Sequence, residues 1–367
     1  MPQPLSGLLV LDFTTLLPGP LATLMMAEAG AEVIKIERPG GEDMRRRWPA
    51  LDDVSASFVL LNRGKQGLVV DLKTPAGRDR LAPLLARADI LVEQFRPGVM
   101  ARLGLGYEDV RKINPRIVYC SISGYGQRGP RAGEAGHDLN YIGATGLLAL
   151  NPGPLAHPNV PPALVADIGG GTFPAVMNIL LALRQRDRSG EGCYLDIAMA
   201  DAMFTFAWQA LAAGQATGRY PGPGEAWTAG GTPRYALYPT HDGALVACAA
   251  LEEKFWRDFC AAIGLAPALI DERADPPATR AGIATLIAAR TAAEWRPIFA
   301  KADCCVTIVA SLEDSMRDPH FVERGLFAYE AVSSAGTAIA ALPLPIAPVF
   351  RDGTVRKASP ALDPDPT

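Results

Sequence analysis

Two side chains in this sequence are suited to moving a proton at neutral pH. His137 sits in Gly136-His137-Asp138-Leu139-Asn140-Tyr141, at the entrance to an expected helix. An imidazole there either decorates a helix start or works as a general acid and base, because its ordinary pKa of about 6.5 lies near neutrality. The other histidines read as surface residues in turns: His157 in a Pro-rich loop, His241 in His-Asp-Gly, and His320 after Asp318-Pro319. Asp167 precedes Ile168 and three successive glycines that open an apolar helix. Such a carboxylate can be an N-cap, stabilising by about 1 kcal/mol. It can equally be a reacting group. Three positions without side chains let a substrate approach the backbone, and amides at a helix start can face a developing oxyanion.

A scaffold must bring these residues together. The first 125 residues alternate β-branched runs with helical stretches. Strands are expected at Leu8–Asp12, Glu32–Glu37, Leu68–Leu72, Ile90–Gln94 and Ile117–Ile122. Helices are expected at Pro20–Ala29 and at Pro75–Ala88, the second with Thr74 as N-cap. Strands alternating with helices of this length imply a parallel sheet covered on both faces. After the first strand comes Leu16-Leu17-Pro18-Gly19-Pro20 with no GxGxxG, which removes most support for a nicotinamide enzyme.

Glycine and proline become dense between Gly124 and Pro162, a long loop of the kind that carries function. A strand at Cys193–Ala198 and a long apolar helix at Ala200–Ala213 follow. The stretch Tyr220–Gly231 reads as a linker. Beyond it are strands at Tyr235–Tyr238 and Ala244–Ala249 and helices at Glu253–Ile263, Thr279–Ala289 and Ala292–Lys301. The tail offers strands near Tyr329–Val332 and Thr337–Ala340. The expected division is a large domain of residues 1–200 and 328–367, a linker at 201–231 and a small domain at 232–327.

The chain has 367 residues, 49% of them hydrophobic, which is too long for one ordinary core. A formal net charge of -4 argues against a nucleic-acid partner. No apolar run reaches the roughly 18 residues of a membrane span. The N-terminus lacks the pattern of a signal peptide. The six cysteines follow no metal-ligand or disulfide spacing and read as reduced, so a cytoplasmic protein without a metal is expected.

The order LSGLLVLDFTTLLPGPLATLMMAEAGAEVIKIERPGGEDM, LNRGKQGLVVDLK, GHDLNY, LVADIGGG and ALEEKF resembles the family III CoA-transferase (CaiB/BaiF) group over nearly the whole chain. Within that group it is most similar to the α-methylacyl-CoA racemases. The resemblance implies a discontinuous Rossmann-like α/β domain, a smaller α+β domain and an interlocked homodimer with the active site at the subunit interface. It makes His137 and Asp167 the acid–base pair and Glu252 the third catalytic residue, with Glu253 as the alternative if the register slips by one. Glu252 would orient the imidazole, amides near Asp167 would hold an enolate oxygen, and Asp138 would point away to serve its own helix start. It implies no cofactor beyond the coenzyme A carried by an acyl-CoA substrate.

Coenzyme A phosphates call for cations. Arg38 and Arg96 each follow a strand end and precede Pro-Gly, where open α/β sheets bind ligands. Arg63, Lys65, the run Arg45–Arg47 and Tyr141 are further expected contacts. Arg234 is expected to meet a substrate carboxylate. Transferases of the group use an aspartate at the Asp167 position as a nucleophile, which needs no histidine at 137. His137 together with Glu252 therefore favours racemase chemistry over transfer, and also over a non-catalytic acyl-CoA binder.

Overall fold

The β-branched runs of the N-terminal part form one parallel sheet. The computed structural model describes residues 3–151, 153 and 158–362, so His157 lies outside the described residues. The six strands are Leu9–Phe13 (β1), Glu32–Glu37 (β2), Gln66–Val69 (β3), Ile90–Glu93 (β4), Val118–Ser123 (β5) and Cys193–Ala198 (β6). They pair in parallel in the order β3-β2-β1-β4-β5-β6. This is the doubly wound order, whose ligand crevice lies beyond the carboxyl ends of the strands. The central strands β1, β4 and β5 are buried throughout, whereas the edge strand β6 alternates. That difference is why the central strands read as continuous apolar runs.

Five helices matter for the site: Pro18–Glu28 (α1), Pro75–Arg87 (α2), Tyr107–Ile113 (α3), Asp138–Ala144 (α4) and Phe173–Ser189 (α5). Helices α2 and α3 bury Leu81, Leu85 and Val110 against Leu11, Ile36 and Leu91 of the sheet. A separate cluster joins Leu21, Leu24 and Met25 of α1 to Val176 of α5. Thr74 caps α2, accepting the Gly77 N–H at 3.0 Å. Together with the turn before it, α5 forms a helical stretch, Ala166–Ser189, long and apolar enough by composition alone to cross a membrane. In the fold one face of it is buried, through Ala175, Ile179, Ala182 and Leu183.

The chain divides into two compact units: Met1–Thr145 with Pro162–Met203 and Pro319–Thr367, and Gly146–Pro161 with Phe204–Asp318. The last part of the first unit adds a small sheet of Glu330–Val332, Ala338–Ala340 and Arg356–Ala358. The second unit has an antiparallel sheet of Tyr235–Pro239, Leu245–Ala249 and Val306–Ile308. Its core is built on Trp256, Phe259, Trp295 and Phe299.

Three sequence expectations change here. The helix expected at Ala200–Ala213 is two helices, Met203–Phe206 and Trp208–Thr217, broken at Ala207. The 201–231 stretch is folded structure: Gly224 N–H donates to the Leu150 carbonyl at 3.0 Å, and Trp227–Ala229 forms a helical turn. Arg234 is buried and satisfied by its own chain. It donates to both Glu272 oxygens at 2.7 and 3.0 Å and to Glu253 at 2.9 Å, and lies over the Trp256 ring. Its Nη1 also donates to the Leu251 carbonyl at 3.2 Å, so its charge is matched by Glu272 and Glu253 of its own unit rather than kept for a substrate carboxylate.

Candidate active site

Past the carboxyl ends of β4 and β5, a cavity of about 440 Å³ opens in the first unit. Leu16, Arg96, His137, Tyr141, Asp167 and Met199 contribute to its wall. His137 is the N-cap residue of α4, and its own N–H donates to Asn140 Oδ1 at 3.0 Å. The imidazole is exposed.

Asp138 corrects an expectation. It is buried, and its Oδ1 accepts the amides of Ala166 at 2.6 Å and Asp167 at 2.9 Å. It therefore serves the Asp167 segment rather than its own helix, and ties the His137 and Asp167 segments together. The same contacts occupy the amides expected to face an oxyanion. The Ile168 amide is also spent, on the Leu164 carbonyl at 3.1 Å.

Asp167 lies in a wide π-helical turn, Ala166–Thr172, that runs directly into α5. Such turns are uncommon and often sit at functional sites. Partial burial pushes the Asp167 carboxyl up to about 6, with Asp138 adding to the rise and His137 opposing it. The glycines after it have a packing reason. A Cβ on Gly170 would stand 2.3 Å from the Met199 carbonyl oxygen, and one on Gly171 3.0 Å from Pro18. Gly170 and Gly171 therefore let the turn lie against the chain itself, which for those two replaces the expected role of admitting a substrate.

Tyr141 forms part of the wall. Its hydroxyl donates to the Gly136 carbonyl, and its ring excludes any Cβ at Gly124 or Gly136. Burial, reinforced by Asp167, raises the phenol to about 12, so it stays protonated. Arg96 lines the cavity, its carbonyl accepting the Val99 amide at 3.1 Å while no ion pair holds its guanidinium among the described residues. Arg38 is exposed beyond β2, donating to Gly41 O at 3.1 Å and Asp43 at 2.6 Å.

Arg63 and Lys65 are corrections. Arg63 is buried against Glu28 and the carbonyls of Leu60 and Leu342. Lys65 is buried on Asp12, Asn62 and the Pro20 carbonyl. Burial brings the Lys65 amine down to about 8, with Asp12 resisting. Lys65 ties α1 to β1 and Arg63 ties α1 to the Leu60 and Leu342 carbonyls, and neither buried side chain is open to a phosphate. Arg45 is likewise spent, on both oxygens of Glu37.

In the second unit Glu252 is the N-cap residue of the helix Glu253–Ile263. It is exposed, with no side-chain capping bond. Glu253 is committed to Arg234 and Arg257, so the free carboxylate of the pair is Glu252. Sequence reasoning assigned no role to Glu42, which accepts the amide of cavity residue Leu16 at 3.0 Å. Leu16 has φ +62, a left-handed conformation costing a non-glycine residue about 1–2 kcal/mol. The only sequence signal was an acidic residue just after the Gly-Gly that ends β2.

An open sheet of this order, with a carboxylate and an imidazole at its carboxyl edge, defines a doubly wound α/β protein with a site fit for proton transfer. The chain belongs to CoA-transferase family III, whose sequence profile matches residues 5–366. It is 36% identical to the human alpha-methylacyl-CoA racemase over 330 residues, 88% of this chain and 82% of that one. It is 33% identical to the acetyl-CoA:oxalate CoA-transferase of Acetobacter aceti over 378 residues, 98% and 93% of the two chains. A crystal structure of a CAIB/BAIF family protein from Brucella suis superposes with a TM-score of 0.83 at 28% identity, covering 100% of this chain and 98% of that one.

Proposed function

We propose that the protein inverts the α-carbon of a 2-methylacyl-CoA thioester by 1,1-proton transfer. The observation that carries this reading is a raised carboxyl and an exposed imidazole in the wall of one cavity. A proton α to a thioester is weakly acidic, and inversion needs one group to remove it and another to return a proton to the opposite face. Ionised Asp167 takes the proton in one direction while protonated His137 supplies one, and the roles exchange for the other hand of substrate. Asp138 holds the Asp167 segment by its backbone. Arg96 and Arg38 are the cations we assign to the phosphates of coenzyme A. No cofactor beyond the coenzyme A of the substrate enters the scheme.

The second reading is transfer of CoA to a carboxylic acid with Asp167 as nucleophile, favoured by the identity to the Acetobacter aceti transferase along almost the whole chain. Incubating a 2-methylacyl-CoA with the protein in deuterated water separates the two. Deuterium at the α-carbon with loss of optical purity is the expected result. No exchange, together with CoA passing to an added carboxylate, would sink the racemase reading.

A homodimer belongs to the same proposal. Phe173, Met177, Leu180 and Leu181 leave an exposed apolar stripe on α5, the kind of surface a second copy would cover. We assign Glu252 of one subunit to the orientation of His137 in the other. Mixed His137→Ala and Glu252→Ala chains are then expected to recover activity that neither has alone. Failure of mixed chains that do associate would remove the cross-subunit role.

A further inference from the structure

We propose that Glu42, held by Lys35, is a positioning residue that keeps the Thr14–Leu16 segment in the shape that receives the thioester end of an acyl-CoA. This rests on the acyl-CoA reading above. Three backbone atoms of the segment are gripped from beneath by buried side chains. Asp12 accepts the Thr14 amide at 2.9 Å, Lys35 Nζ donates to the Thr14 carbonyl at 2.9 Å, and Glu42 Oε2 accepts the Leu16 amide at 3.0 Å. Lys35 and Glu42 pair at 2.9 Å with side chains 0% and 3% exposed. Glu42 is itself fixed, because its amide donates to Glu37 at 3.0 Å and Glu37 is clamped by Arg45.

A buried ion pair alone is weak evidence of a role beyond folding. Here one carboxylate oxygen is spent on the backbone of a leucine at φ +62, and that leucine lines the cavity with His137 and Asp167. The Leu16 side chain packs beside the cluster of Met44, Val54 and Phe58. The residue is thus fixed at its side chain and at its amide. Loosening the amide leaves the core in place and frees the wall that faces substrate.

The test compares Glu42→Gln with Glu28→Gln in the full chain. Glu28 is an equally buried carboxylate, paired with Arg63 and absent from the cavity wall. Binding of 2-methyldecanoyl-CoA is measured by calorimetry, with thermal unfolding as the check on folding. Both variants are expected to melt lower. Only Glu42→Gln is expected to weaken binding, by about tenfold, as a misplaced contact surface does. Binding within twofold of the wild type, or equal weakening in both variants, overturns the proposal. Should Glu42→Gln not fold, hydrogen exchange on the wild type decides. A Leu16 amide slow in the free protein and slower with 2-methyldecanoyl-CoA supports it, and one that exchanges freely or ignores the ligand overturns it. A wild type that binds no 2-methyldecanoyl-CoA would remove the acyl-CoA reading and this inference with it.

Discussion

Replacing Asp167 by asparagine is expected to lower inversion, and α-proton exchange on the hand that Asp167 deprotonates, at least ~10³-fold while raising stability at alkaline pH. The two effects share one cause. The Asp167 carboxyl is pushed up to about 6 by partial burial and by Asp138. A carboxyl raised on folding contributes stability that is present below its ordinary value near 3.8 and is lost as pH rises through about 6. Ionised Asp167 is therefore a cost at pH 8. The full rise corresponds to about 3 kcal/mol; the group is partly open to water, and screening reduces this to about 1 kcal/mol. Asparagine keeps the backbone bonds to Asp138 and removes the charge. The thermal midpoint of the Asp167→Asn variant should exceed that of the wild type at pH 8 and match it at pH 4. In the wild type, exchange on that hand should rise with pH through about 6 as Asp167 ionises. An Asp167→Asn chain that melts no higher at pH 8, with wild-type exchange flat between pH 5 and 7, would contradict the raised carboxyl.

Much of the scaffold was legible because its signals are local. Glu32–Glu37 and Cys193–Ala198 are β-branched or apolar runs bounded by glycine, proline or charge, and both strands occupy the expected residues. The helix Glu253–Ile263 likewise begins and ends as expected, stopped by Gly264 in a left-handed conformation. What stayed hidden depends on partners distant in sequence. Arg63 and Lys65 looked like exposed cations in a Gly-rich turn, yet Glu28 and Asp12 meet them from 35 and 53 residues away. Arg234 is satisfied by Glu272, 38 residues on. The glycines after Asp167 were assigned to substrate access because Met199, which packs against them, follows in a separate segment. A sequence displays a charge but does not say whether another charge has already claimed it. The same blindness concealed Asp138 and Glu42, which act on backbone atoms that carry no signature in sequence.

Changing His137 to asparagine is expected to separate exchange from inversion. With two bases on opposite faces, each handles one hand of the substrate, and losing one leaves the other in place. Asp167 would still remove the α-proton from the hand presented to it and return deuterium to the same face. That hand should incorporate deuterium from the solvent without inverting, while the opposite hand neither exchanges nor inverts. Inversion in both directions should fall at least ~10³-fold. The substitution is mild for the fold, since Asn140 accepts the residue 137 amide, the imidazole is exposed, and asparagine is a favoured N-cap residue. Stability should therefore stay within about 0.5 kcal/mol of the wild type. Chiral analysis of product with mass measurement of deuterium, on each hand of substrate separately, reads the outcome. Equal residual exchange in both hands would mean that a single group serves both faces, and the two-base scheme would fall. Undiminished turnover would instead leave Asp167 acting alone, as it does in the transferase reading.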